Sequence, residues 1–186
     1  DLYQDNVIVP FPVESDKGTY PGGHVKEPQV GMHKHVVSFD LNSLYPSIIM
    51  QFNMSPETIL NEYSPELDVE TVLSKPMLKR PGSTAIAVGG QHFDTSKQGV
   101  LPKIIEEMYN ERVEVKKNQI KYQKELQKAD EKQTIFELQR QISIAENRQM
   151  AIKILLNSLY GALGNRYFRF FDQRVAEAIT LSGQLI

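Results

Sequence analysis

Two stretches decide the architecture of this 186-residue chain: residues 102–128, PKIIEEMYNERVEVKKNQIKYQKELQK, and residues 133–161, QTIFELQRQISIAENRQMAIKILLNSLYG. In the first, Ile105, Met108, Arg112, Val115, Gln119, Tyr122 and Leu126 recur at spacings of three and four. In the second, Ile135, Leu138, Ile142, Ala145, Gln149, Ile152, Leu156 and Leu159 do the same. That period lines one face of an α-helix. At 1.5 Å per residue, helices of roughly 27 residues are about 40 Å long. Ala129-Asp130-Glu131-Lys132 is the only turn between them, so the pair is expected to form an antiparallel hairpin closed along these seams. Gly161 and Gly164 are expected to end the second helix.

The charges on these helices divide into two kinds. Lys103 has Glu106 and Glu107 within a turn, Lys117 has Glu114, Lys121 has Glu125 and Arg140 has Glu137, the spacing of ordinary surface pairs. Arg112, Lys116 and Lys153 have no acid three or four residues away, and neither do Lys124 and Arg148. Arg112 and Lys116 are like charges four apart, which slightly disfavours the helix. Lys153, Asn157 and Tyr160 share a face about 100° from the Ile152–Leu156–Leu159 seam. If the hairpin closes, three cations and an amide can converge on one anion. A triphosphate suits them, Arg binding bidentately and Lys as a point charge. The charge distribution leaves room for such a surface: residues 1–70 hold 3 basic and 11 acidic side chains, residues 71–186 hold 18 and 12.

Before the hairpin, residues 1–35 are rich in Pro and Gly and read as extended chain and turns. Val36-Val37-Ser38-Phe39 is a buried-strand candidate ending at Asp40. A short helix is expected after Ser43, with Pro46 in its first turn, Ile48, Ile49 and Phe52 on its apolar face, and Asn53 with Ser55-Pro56 ending it. Residues 84–88 and 91–94 flank Gly89-Gly90 as a β-hairpin. Beyond the long helices, Tyr167, Phe168, Phe170 and Phe171 form a strand-like aromatic patch. A last helix carries Val175, Ala178, Ile179, Ser182 and Leu185. Asp40, at a strand end, can hold Mg²⁺, a hard ion that takes one or two carboxylates plus phosphate oxygens. The amides of Ser43 to Tyr45, at a helix start, can meet phosphate. Read alone, a strand-end Asp such as Asp40 is more often a cap or turn residue, and Tyr45 is a core residue.

These residues carry a family resemblance. Ser38-Phe39-Asp40-Leu41-Asn42-Ser43-Leu44-Tyr45-Pro46-Ser47-Ile48-Ile49 resembles motif A of family B DNA polymerases, and Lys153-Ile154-Leu155-Leu156-Asn157-Ser158-Leu159-Tyr160-Gly161 resembles motif B. Tyr20-Pro21-Gly22-Gly23 is similar to the family's Y-x-G-G segment, and Gly99-Val100-Leu101-Pro102 to its entry into the fingers. Ser55-Pro56-Glu57-Thr58-Ile59 and Gly161-Ala162-Leu163-Gly164-Asn165 are most similar to the polymerases of T-even-like bacteriophages. The resemblance implies roles. Asp40 would bind the catalytic Mg²⁺ ions, with the Leu41 carbonyl as a further ligand. Ser43 and Leu44 would offer amides to the nucleotide phosphates, and Tyr45 would stack on the sugar and exclude a 2′-hydroxyl. Arg112, Lys116, Lys153 and Asn157 would face the triphosphate, Lys153 as a catalytic residue. Tyr160 and Gly161 would pack on the nascent base pair, and Tyr20, Gly22 and Gly23 would contact template and primer.

The implied fold class is α/β, a partial polymerase palm with an antiparallel two-helix fingers hairpin. Residues 1–97 would be the N-terminal part of the palm, 98–164 the fingers and 165–186 the start of the return to the palm. The family's third motif, D-T-D, supplies a second metal carboxylate, and no D-x-D occurs here. Asp68-Val69-Glu70 matches an exonuclease pattern but lies between motifs A and B. The chain starts without Met and stops inside an apolar-periodic stretch, so a piece of a longer protein is expected, inactive alone. The implied activity is nucleotidyl transfer from a dNTP to a primer 3′-hydroxyl. The expected partners are primer-template DNA, dNTP and the remainder of the polymerase, with a sliding clamp as a further candidate. One half of a naturally split polymerase is an alternative, as is a non-catalytic hairpin module that binds nucleic acid or a partner subunit. No apolar run reaches the roughly 20 residues of a membrane span, which leaves the cytoplasm, of a host cell for a viral protein, as the default location. Absence of cysteine excludes thiol chemistry and thiolate-bound metals.

Overall fold

The structure, a computed structural model, describes residues 22, 23, 25–74 and 82–186. It is a mixed α/β fold with a small antiparallel sheet and five helices among these residues: α1 (Leu44–Phe52), β1 (Ile59–Tyr63), α2 (Val69–Ser74), β2 (Thr84–Ile86), β3 (Gln91–Asp94), α3 (Val100–Leu126), α4 (Lys132–Leu163) and α5 (Gln173–Leu185).

Helices α3 and α4 form the antiparallel hairpin, 27 and 32 residues long. The positions picked out by periodicity on α3 are those the partner helix covers: Ile105 is buried, and Met108, Arg112, Val115, Gln119, Tyr122 and Leu126 are half-buried. On α4, Ala145, Ile152 and Leu156 are buried, with Ile135, Leu138, Ile142, Gln149 and Leu159 half-buried. The expected surface pairs Lys117–Glu114, Lys121–Glu125 and Arg140–Glu137 form. Gly161, expected at the helix end, lies inside α4, which continues to Leu163 and is capped by Gly164. The apolar Leu163, fully buried, gives the last turn a reason to persist past the glycine.

The core sits at the base of this hairpin. Ile48 and Ile49 of α1, Phe93 of β3, Leu101 and Ile105 of α3, Ile152, Leu156 and Leu163 of α4, and Val175, Ala178 and Ile179 of α5 form one buried cluster with Met54. Farther along the hairpin, past Ile105 and Ile152, Ala145 is the only buried residue among the described residues. A long arm with a thin seam therefore projects from a packed base.

Strands β2 and β3 are the expected hairpin, with Ile86 opposite His92 and Gly89 and Gly90 at φ 96° and 85° in the turn. An L-residue avoids that region, which is why glycines stand there. β1 and α2 were not anticipated. Residues 59–63, ILNEY, pair as an edge strand with β3, giving the order β1-β3-β2, and leave Asn61, Glu62 and Tyr63 exposed. Burial of β1 falls off along the strand, two half-buried residues and then three exposed, so the period-two signal of a half-buried strand is missing. Asp68 accepts a hydrogen bond from the Thr71 amide at 2.7 Å and so caps α2, a structural use for the first residue of Asp68-Val69-Glu70.

Two strand expectations fail. Residues 36–39 form no strand, with Val36 74%, Val37 71% and Phe39 91% exposed. An isolated strand satisfies neither its backbone groups nor its apolar side chains, and none of the described residues pairs with it. Residues 165–171 form successive turns, closed by Phe168 N to Asn165 O at 2.8 Å and Phe171 N to Phe168 O at 3.0 Å, and Asn165 Oδ1 accepts from Tyr167 N. Asn165 offers the backbone a local partner that outcompetes strand pairing. The last helix is as expected, with Val175, Ala178, Ile179 and Ser182 buried.

Asn53 ties α1 to the foot of α3. At φ 54° it ends α1 as a left-handed cap. Its Nδ2 donates to the carbonyls of Asp94 (2.6 Å) and Lys97 (2.8 Å), and its Oδ1 accepts from the Gly99 amide (2.8 Å). Asn53→Ala strands these buried backbone groups and is expected to destabilise the fold by about 2–3 kcal/mol, read as a lower midpoint in chemical denaturation.

Candidate functional site

The segment from Asp40 to Tyr45 enters α1 through a strained residue. Ser43 takes φ 55° and ψ 44°, a left-handed conformation uncommon outside glycine and asparagine. Its side chain makes no cap; the hydroxyl donates to Asn42 Oδ1 at 3.3 Å instead. Pro46 has no N–H, and Ser47 N already donates to the Ser43 carbonyl at 2.9 Å. The first turn thus presents the amides of Leu44 and Tyr45 without a side-chain cap, at the positive end of the helix. Asp40 and Leu41 lie just upstream, both exposed. A carboxylate beside a backbone carbonyl fits part of an oxygen-ligand site for Mg²⁺, not a closed one. Among the described residues no cluster of three or more His, Asp or Glu could hold a metal.

Tyr45 joins this segment to the hairpin. Its ring packs on that of Tyr160 in α4, with centroids 4.6 Å apart and planes tilted by 45°. A Cβ added at Gly23 would lie 3.1 Å from the Tyr45 hydroxyl, so the Gly22–Gly23 segment also reaches this ring. Gln184 of α5 donates to the Gly22 carbonyl at 3.0 Å. The structure therefore brings together Tyr45, Tyr160 and Gly23. Gly161 faces open space, and Tyr20 lies outside the described residues.

The Arg148–Glu111 pair, 2.6 Å across the hairpin, marks its register. Arg148, expected to be unpartnered, is thus neutralised from the other helix. Pairing at three or four residues along one helix does not see that partner. Arg112, Lys116 and Lys153 make no ion pair among the described residues. Arg112 is half-buried in the seam and its Nε has no hydrogen-bond partner. Lys116, Lys153 and Asn157 are exposed. From that register Lys153 lies about 9 Å along the hairpin axis from Arg112 and about 15 Å from Lys116. Side chains tilt toward the N-terminus of their own helix, so in this antiparallel pair those of α3 lean toward the base and that of Lys153 leans toward the tip. Arg112 and Lys153 thus approach one ligand more readily than Lys116 does.

Two other features are structural. Lys117, Lys121, Lys124 and Lys128 line a shallow groove of about 340 Å³ on the outer face of α3, far from Tyr45 in the chain and with two of the four lysines tied to glutamates. Ser64 Oγ and His92 Nε2 share a 2.8 Å hydrogen bond, and Glu62 stands 3.4 Å from Nδ1, in the order of a nucleophile, base and acid. The neighbouring Gly89 and Gly90 amides are already bonded to the carbonyls of Leu67 and Ala87 and cannot hold an oxyanion, so this set staples β1 to β3. Sequence spacing gave no sign of it, because the three residues meet only through strand pairing.

The structure is thus a small α/β base carrying a helical hairpin, with an uncapped helix start joined to the hairpin through the Tyr45–Tyr160 contact. A sequence model described as DNA polymerase family B matches residues 1–186, and the chain belongs to that family. It is 32% identical over 224 residues to a DNA-directed DNA polymerase of Escherichia phage RB69, and 30% over 221 residues to that of Enterobacteria phage T4; both matches cover 99% of the chain and 24% of the relative. It is 32% identical over 166 residues to a DNA polymerase of Thermococcus gorgonarius. The structure resembles that of the family B DNA polymerase from the archaeon Pyrobaculum calidifontis with a TM-score of 0.60, at 26% identity over 97% of this chain and 20% of that one. The chain spans about a quarter of the length of the phage relatives. Among the described residues no helix is long and apolar enough to cross a membrane.

Proposed function

We propose that this chain forms two walls of the nucleotide site of a template-directed DNA polymerase, and that the complete enzyme transfers a nucleotide from a dNTP to a primer 3′-hydroxyl. Residues 1–97 are then palm, 98–164 fingers and 165–186 the return to the palm. The observation that carries this is the Tyr45–Tyr160 contact, which sets the uncapped amides of Leu44 and Tyr45 beside the end of α4 that bears Lys153 and Asn157. Amides and cations then bind the triphosphate from two sides, and catalysis is largely positioning and electrostatics. Asp40 and the Leu41 carbonyl would hold Mg²⁺ together with a further carboxylate, and the bound metal would supply stabilisation of the charge that develops during nucleotidyl transfer. Tyr160 and Gly161 meet the nascent base pair, and Tyr20, Gly22 and Gly23 meet the template and primer. The partners are DNA, dNTP, the remaining palm, thumb and exonuclease, and a sliding clamp.

Primer extension by the complete polymerase tests this reading. Tyr45→Ala is expected to admit ribonucleotides, because truncation removes a clash with the 2′-hydroxyl. The kcat/KM ratio of a deoxyribonucleotide to its ribo counterpart should fall by about tenfold or more. An unchanged ratio would make Tyr45 a core residue only. An in-frame D-T-D encoded within a few tens of codons after Ile186 separates one continuous polymerase from a split one.

A further inference from the structure

We infer that Gly183 of α5 is a positioning residue for Tyr45, and through it a determinant of which sugar the site accepts. This rests on the sugar-facing reading of Tyr45. A glycine inside a helix costs about 1 kcal/mol relative to alanine, so its place in α5 asks for a reason. The geometry supplies one: a Cβ at position 183 would lie 3.0 Å from Tyr45 Cε1, 3.6 Å from Cδ1 and 3.7 Å from Ile48 Cδ1. Gly82, by contrast, has nothing within 4 Å of such a Cβ.

Three contacts seat the ring. α5 passes its edge at Gly183, Gly23 passes its hydroxyl, and Tyr160 packs against its face. Gln184, next in sequence to Gly183, holds the Gly22 carbonyl, so one helix sets both the edge and the segment over the hydroxyl. Carbon atoms rest at about 3.5–4.0 Å from each other, so a methyl group at 183 forces a shift of roughly half an ångström. Helix α5 cannot readily yield, because Val175, Ala178, Ile179 and Ser182 anchor it in the core. The ring moves instead, away from α5, and on the sugar-facing reading of Tyr45 this pushes it into the space the sugar takes. The gate then narrows, the opposite of truncating it.

The test is made in the complete polymerase by measuring kcat/KM for a deoxyribonucleotide and its ribo counterpart. Gly183→Ala is expected to raise the deoxy-to-ribo ratio by about fivefold, and Gly82→Ala to leave it unchanged. In a Tyr45→Ala background the same substitution should no longer affect the ratio. A misfolded fraction lowers both specificity constants equally and cancels. Gly23→Ala, which crowds the same ring at its hydroxyl, should also alter the ratio. A Gly183→Ala ratio within twofold of wild type, a lowered ratio, or an effect that survives without the Tyr45 ring overturns the inference while leaving the sugar reading intact. An unchanged ratio in Tyr45→Ala alone sinks the sugar reading and this inference with it.

Discussion

Asp40→Ala in the complete polymerase is expected to abolish nucleotide addition, by about 10³-fold or more in kcat, while DNA affinity stays within about threefold. The side chain is exposed, next to the Leu41 carbonyl and one turn ahead of the uncapped amides of α1. Among the described residues it makes no hydrogen bond or ion pair whose loss would unfold the base. On the proposed mechanism it acts only where charge develops in the transition state, so its loss should register in kcat rather than in binding to the DNA backbone. Primer extension near the wild-type rate would assign Asp40 to turn formation. A matched loss of DNA binding would place it in the DNA path instead.

Lys153 is the second large effect. Neutralising it should raise KM for the nucleotide and lower kcat, together about 2–4 kcal/mol in kcat/KM, the range for losing a preorganised donor to the transition state. Lys121 provides the contrast: it is exposed on α3 within 4.0 Å of Glu125, and its neutralisation should change kcat/KM by no more than about 0.5 kcal/mol. A double-mutant cycle between Arg112 and Lys153 should show coupling, because both are proposed to contact one triphosphate. Lys116, which the hairpin register sets farther up the arm, should couple more weakly to Lys153 than Arg112 does. Equal behaviour of the Lys153 and Lys121 variants, or simple additivity of Arg112 and Lys153, would return these cations to the solvated surface.

The contrast between Lys121 and Arg148 marks how far spacing alone carries. Lys121 finds its acid four residues along its own helix, which any reading of α3 detects. Arg148 finds Glu111 on the opposite helix, 37 residues away in sequence, and only the closed hairpin makes that pair. Arg112 is legible in one respect and not in another. Its lack of a helical partner is visible in sequence, whereas its half-burial in the seam with an unpartnered Nε depends on how α4 covers it.

What the sequence determined by itself is local or periodic. Apolar spacing set the hairpin and both seams, glycines set the β2–β3 turn, and Pro46 with Ile48 and Ile49 set the first turn and apolar face of α1, because each follows from backbone preferences and helical period within one stretch of chain; the left-handed Ser43 that opens α1 does not follow from them. Strand status for residues 36–39 was not determined that way, since a strand exists only with a neighbour to bond. Nor were the Ser64–His92–Glu62 staple, the Asn53 tie across 46 residues to Gly99, or the seating of Tyr45 between Tyr160, Gly23 and Gly183. Those contacts join residues far apart in sequence, and only packing around the shared core brings them within reach.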